Sequence, residues 1–150
     1  MAQKRTPGNG AYRILMLHHH IVPVTYRENA TVDVHGSIVF DANAIIEWIA
    51  DHGIDLVLHG HQHQPFLTRL SYPLRHEGLS DGSIARWHEF YVVGLGSTGV
   101  NIEHLGEIKK NVYGVLDFKS DGIEISIRSI SPSRTYKSGT LWSVPIPRRK

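Results

Sequence analysis

The sequence predicts an α/β fold in which a βαβ unit is followed by antiparallel strands. Three observations predict it. Two short apolar runs, "YRILML" at 12–17 and "IDLVLH" at 54–59, bracket a stretch whose apolar residues recur at helical spacing. The second half changes to strand-like alternation around a Ser-Asp-Gly turn. With 41% hydrophobic and 20% charged residues in 150, the chain has the composition of a globular domain rather than of a disordered or coiled-coil protein. One compact partial domain over 1–150 is expected, with a leader over 1–11 and an irregular tail over 131–150.

Taken in order, "YRILML" reads as a buried strand ending at His18. Residues 21–40 contain Pro23, Gly36 and mixed polarity, and are expected to form a long loop of the kind that covers a site. Asp41 is placed to cap a helix from Ala42 to His52, with Ile45, Ile46 and Ile49 on its apolar stripe and Gly53 ending it. "IDLVLH" is continuously apolar after Asp55, as a strand buried on both faces would be. "HEFYVVGLGS" gives a third strand running into a turn at Gly94, Gly96 and Gly99. "VYGVLDFKSDGIEISIRSI" gives a hairpin around Ser120, Asp121 and Gly122, with Ile123, Ile125 and Ile127 on its buried face. The last residues read as a tail anchored by Trp142.

Composition also excludes classes of function. The chain has no cysteine, so disulfides and thiolate metal sites are ruled out, and any metal must be held by His, Asp, Glu or Asn. Its formal charge is +2, and the basic residues are scattered apart from Arg148, Arg149 and Lys150, which argues against a nucleic-acid surface. The start, "MAQKRTPGNGAY", lacks the apolar core of a secretory signal, and no stretch approaches a membrane span, so a cytoplasmic location is expected.

The chemistry concentrates in the histidines. "LMLHHHIVPV" places His18, His19 and His20 at the end of the first strand, and "LVLHGHQHQPF" places His59, His61 and His63 around Gly60 at the end of the second. Ligands of open α/β sheets bind beyond the carboxyl ends of the strands. Gly60 would let the backbone turn sharply, so that His61 and His63 face one small volume, with His18 arriving at the same edge if the strands are parallel neighbours. Three neutral imidazoles with an open position suit a catalytic divalent ion. Among other candidates, Gly94, Gly96, Ser97 and Gly99 form a turn able to bring backbone amides near a phosphate, or simply to end a strand. Trp48 and Trp87 read as core or half-buried rather than as substrate-stacking, and nothing singles out Arg69 or Arg86 as phosphate contacts.

These two motifs and the helix between them resemble the calcineurin-like metallophosphoesterases, in particular the branch acting on cyclic nucleotides and glycerophosphodiesters. The first motif is similar to that branch's strand ending in paired histidines with a proline after. The second resembles its GHxH signature, and "VVGLGSTGV" resembles the small-residue turn that closes its active-site face. The resemblance spans about residues 12–130. It implies the C-terminal half of a metallophosphoesterase αββα sandwich and hydrolysis of a phosphodiester or phosphomonoester by a metal-bound hydroxide. It implies His18 and His61 on one metal and His63 on the other, with manganese, iron or zinc as the ion. His19, Gly60 and Ser97 are then expected behind the ligands or near the phosphorylated substrate, and His20 and His59 behind the ligands or in packing.

The family's DxH, GD and GNH motifs, which supply the remaining ligands, are not present in the expected order. "DVH" at 33–35 fits DxH, but it follows the first histidine strand and has no apolar strand before it; "PGNG" at 7–10 carries Gly10 where GNH has its histidine. A dinuclear centre therefore requires that the missing half be supplied. The absent strands would also leave the first strand's edge open, which invites a second copy or a separate N-terminal half. Two other readings compete with a phosphohydrolase. One is a catalytically inert module of the same fold. The other is a mononuclear cupin-like metal protein, against which stand Phe66, Leu67 and Thr68 where a Glu is wanted, the first acid beyond being Glu77.

Overall fold

The computed structural model describes residues 11–23, 39–60, 63–75, 84–101, 103, 105, 110–130 and 139–148. Among them the architecture is mixed α/β, mostly strand with one helix. The described residues cluster in two compact units, one drawn from Met1–His59 and Leu67–Val93, the other from Gly60–Phe66 and Gly94–Lys150. Among the described residues, no helix is long and apolar enough to cross a membrane.

The first unit is built on a four-stranded sheet of order β1-β2-β4-β3. Strand β1 (Ile14–Met16) runs parallel to β2 (Leu56–His59), with Ile14 opposite Leu56, Leu15 opposite Val57 and Met16 opposite Leu58. Helix α1 (Ala42–Asp51) is the crossover between them, as the periodicity predicted. Asp41 takes the N-cap position, but its side chain makes no capping hydrogen bond; its carbonyl accepts from Ile45 N at 3.1 Å. At the other end Gly53 adopts φ +62°, Gly53 N donates to Ala50 O and Ile54 N to Ile49 O. This is a Schellman cap, and its left-handed residue is the one position where a glycine is required there. Ile49 and Ala50 are buried, as are all four residues of β2.

Asp55 sets β1 against β2. It is buried, its carboxylate accepts from Arg13 N at 2.9 Å, and its own N donates to Arg13 O at 2.9 Å. The Arg13 guanidinium closes the clasp by donating to His52 O. The expectation of a buried first strand is corrected: Ile14 is 36% and Met16 76% exposed. The reason is position, because β1 is an outermost strand of this sheet among the described residues and only its β2 side is paired.

Strand β4 (Ile84–Leu95) begins four residues before the predicted strand and continues through Gly94, which lies in the strand and not in the turn. A Cβ at Gly94 would sit 2.6 Å from the Phe66 ring and 2.8 Å from Gln64 O, so the glycine admits the close approach of residues 64–66. Strand β3 (Pro65–Arg75) occupies a stretch for which the sequence predicts no element. Pro65 and Pro73 obscure its alternation, and prolines are tolerated because β3 is the sheet's other outer strand.

The second unit carries an antiparallel sheet of order β5-β6-β7. Strands β5 (Val112–Phe118) and β6 (Gly122–Ser129) are the predicted hairpin, with Phe118 opposite Ile123 and Lys119 N donating to Gly122 O at 2.8 Å. Ile123, Ile125 and Ile127 are buried on one face as expected. The irregular tail is a correction: residues 139–147 form strand β7 (Gly139–Pro147), with Trp142 opposite Ile127. Pro145 and Pro147 disguise this strand in the sequence, and an outer strand accommodates them. Gly122 is fixed by the same pairing, since a Cβ there would lie 2.3 Å from Ile146 O.

Candidate functional site

The parallel pairing of β1 with β2 decides where the histidines go. Leu17 N donates to Leu58 O at 2.9 Å, extending the ladder one residue past β1. His18, His19 and His20 therefore leave the sheet at the same carboxyl-terminal edge at which β2 ends in His59. His18 and His19 are exposed, their rings meeting edge to face at 4.8 Å. His61, the middle ligand implied by the resemblance, lies outside the described residues, as do 33–35 and 7–10. Among the described residues no group of three His, Asp or Glu side chains is gathered tightly enough to hold an ion by itself.

His20 and His59 are the histidines that the fold brings into contact. They are 1% and 3% exposed, and their Nδ1 atoms stand 3.0 Å apart with the rings at 83°. Burial, and then the neighbouring His20 ring, lower the pKa of His59 from 6.5 to about 4. The ring is therefore neutral at pH 7, because there is no bulk water to solvate an imidazolium. His20 is further held by its backbone, since His20 O accepts from Val39 N at 2.9 Å where the chain returns toward α1. The resemblance assigns neither residue a ligand position; both are buried, and the Nε2 atom of each has no hydrogen-bond partner among the described residues. Their pairing was the part not foreseen. The available signal was His59 itself, the last residue of a strand apolar enough to be buried on both faces.

His63 belongs to the second unit, and it carries the left-handed backbone angle of the turn that starts at Gly60. Among the described residues His63 is the one non-glycine with positive φ, at +55°. Gly60 carries no such angle; its carbonyl accepts from His63 N at 3.2 Å, and a Cβ on it would meet Gly96 O at an ordinary 3.6 Å. The left-handed residue of this turn is thus a histidine, which costs about 1 kcal/mol relative to glycine. Its Nδ1 is buried and makes no hydrogen bond among the described residues. A buried ring nitrogen without a hydrogen-bond partner among the described residues suits a divalent ion of the nitrogen-accepting kind.

Relieving this turn gives a first prediction. His63→Gly is expected to leave the fold intact and to raise stability by up to about 1 kcal/mol in urea denaturation, while removing the ring. A destabilisation of more than about 1 kcal/mol would show that the ring packs rather than waits for a ligand.

The glycine-rich turn is held from within the second unit. Gly96 has φ +75°, and a Cβ on it would lie 2.0 Å from a Val112 methyl, so glycine is obligatory on both counts. Val112 N donates to Ser97 O at 2.7 Å, and the Asn111 amide clasps Val100 at both N and O, each at 3.1 Å. Ser97 is half-buried and Gly99 exposed, with nothing within 4 Å of a Cβ there. Trp48 and Trp87 are both exposed, against the expectation of core or half-buried positions; Trp48 stacks on His52 at 4.1 Å. Arg69 and Arg86 are exposed. No protein-family model, no curated protein and no solved structure matches this chain.

Proposed function

We propose that this chain is the histidine-bearing, C-terminal half of a metal-dependent phosphoesterase, with His18, His61 and His63 as ligands of a manganese, iron or zinc ion. The single observation that carries the reading is the parallel adjacency of β1 and β2, which brings "HHH" and the beginning of "HGHQH" to one sheet edge. Nothing in the composition required those two strands to be neighbours. The strained turn at His63 and its unused Nδ1 add to it, since strain of that kind gathers at functional positions. Such an ion supplies Lewis acidity toward a phosphoryl oxygen and lowers the pKa of coordinated water. The chain's own contribution is to present imidazoles at the edge and to keep His59 uncharged behind them.

The substrate class is a phosphodiester or phosphomonoester. The side of β1 on which no strand pairs among the described residues, with Ile14 and Met16 exposed, is where a second copy or a separate N-terminal half bearing the carboxylate motifs would add. A dinuclear centre requires that half. A cytoplasmic setting goes with this reading. The inert-module alternative is favoured by the missing carboxylate motifs, and the cupin-like one is disfavoured by two separate sheets and a crossover helix.

The test is hydrolysis of bis-p-nitrophenyl phosphate by the full chain, alone and with manganese. Activity that needs manganese and is lost in His61→Ala is expected. Tight manganese binding without turnover would favour the inert module, and absence of any manganese binding would end the metal reading.

A further inference from the structure

Two turns that are distant in the chain meet inside the second unit. A Cβ placed on Gly96 would stand 3.7 Å from His63 O, and one placed on Gly60 would stand 3.6 Å from Gly96 O. The glycine-rich turn therefore adjoins the turn that carries His63 and its buried Nδ1.

The glycine-rich turn is itself fixed at three points. Gly96 takes its left-handed angle of +75° against Val112, Ser97 O accepts from Val112 N at 2.7 Å, and Asn111 holds Val100 by two hydrogen bonds of 3.1 Å. Between these pins lie Ser97, which is half-buried, and Thr98 and Gly99, which are exposed. The N–H groups of these residues have no acceptor among the described residues. Successive N–H groups in a turn form a concavity that binds anions, and a turn already pinned loses little freedom when the anion arrives.

We propose that Ser97, Thr98 and Gly99 are a phosphoryl-binding subsite, their backbone N–H groups donating to oxygens of a phosphate ester beside His63. The inference rests on the proposed phosphoesterase reading for the identity of its anion. Phosphodiesters and phosphomonoesters both have at least two non-bridging oxygens, so the turn and an ion can each take one. Gly96 and Asn111 are positioning residues, because they shape the turn without touching the ligand.

The full chain, 15N-labelled and kept in EDTA, is titrated with inorganic phosphate and separately with dimethyl phosphate while 1H–15N spectra are recorded. Saturable shifts at Ser97, Thr98 and Gly99 are expected; shifts with dimethyl phosphate support a diester subsite, and shifts with inorganic phosphate alone support a monoester one. G99A keeps the N–H at a place where a Cβ meets nothing within 4 Å, and should bind as the wild type does. G99P removes that N–H and should weaken binding about tenfold, the worth of one hydrogen bond to a charged oxygen. N111A should weaken it at least as much while the amides of the β5–β6 hairpin stay in place. Absence of saturable shifts at the turn would overturn the inference, as would G99P and N111A affinities within about twofold of wild type. Shifts that require added zinc would mean that the ion alone holds the anion, overturning the inference and leaving the metal reading in place. Saturable binding at the turn of a chain that takes up no manganese would sink the metal reading and support the anion subsite.

Discussion

Phe90→Ala is expected to destabilise the first unit by about 3–5 kcal/mol, a large part of the about 5–15 kcal/mol that holds a typical domain together. Phe90 is fully buried on β4, an inner strand with β2 on one side and β3 on the other. Its ring lies over His88 at 6.0 Å, and His88 Nε2 in turn donates to Ile54 O at 2.7 Å. Val92 and Val93 on the same strand are also fully buried, so this strand lies in a packed core on both faces. The cost is therefore lost apolar burial plus a cavity. Met16→Ala supplies the control, since that side chain is 76% exposed and should cost less than about 1 kcal/mol. Urea denaturation followed by far-UV circular dichroism reads both. A Phe90→Ala midpoint equal to that of Met16→Ala would place the core elsewhere.

Acid should weaken the protein before its carboxylates titrate, through His59. The unfolded chain binds a proton at this ring near the ordinary 6.5, whereas the folded chain resists it until about 4 because the site is desolvated and faces His20. Between those values the unfolded state holds more protons, so stability rises with pH across that window. The contribution is fully present above about pH 6.5 and is lost as pH falls toward 4. At full strength it corresponds to about 3 kcal/mol, and residual solvent screening reduces the expectation to about 2 kcal/mol. Urea midpoints in EDTA at several values from pH 4 to pH 7 measure it. His59→Phe, which removes the titrating ring, should flatten the curve by that amount. Parallel curves for the two proteins would show that His59 is solvated.

The histidine clusters were visible in the sequence, as were the elements that carry them. Apolar runs at 12–17 and 54–59 and the stripe of Ile45, Ile46 and Ile49 mark β1, β2 and α1 because each is a local pattern. The β5–β6 hairpin was legible for the same reason. Strands β3 and β7 were not, because Pro65, Pro73, Pro145 and Pro147 count against strands in any local reading. Their acceptability depends on lying at a sheet edge, which is a property of the assembled sheet. Gly60 attracted the turn argument by its composition, yet the left-handed backbone falls at His63, where the surrounding structure imposes what the residue type disfavours.

By itself the sequence determined the chemistry available: imidazoles without thiols, set at the ends of two apolar strands. Only the tertiary structure decided that those strands are parallel neighbours and that His20 meets His59 across a gap of 39 residues at 3.0 Å. The physical reason is that residue type and spacing act locally, whereas ring-to-ring contact, burial and the resulting pKa arise when distant segments exclude water from the same volume.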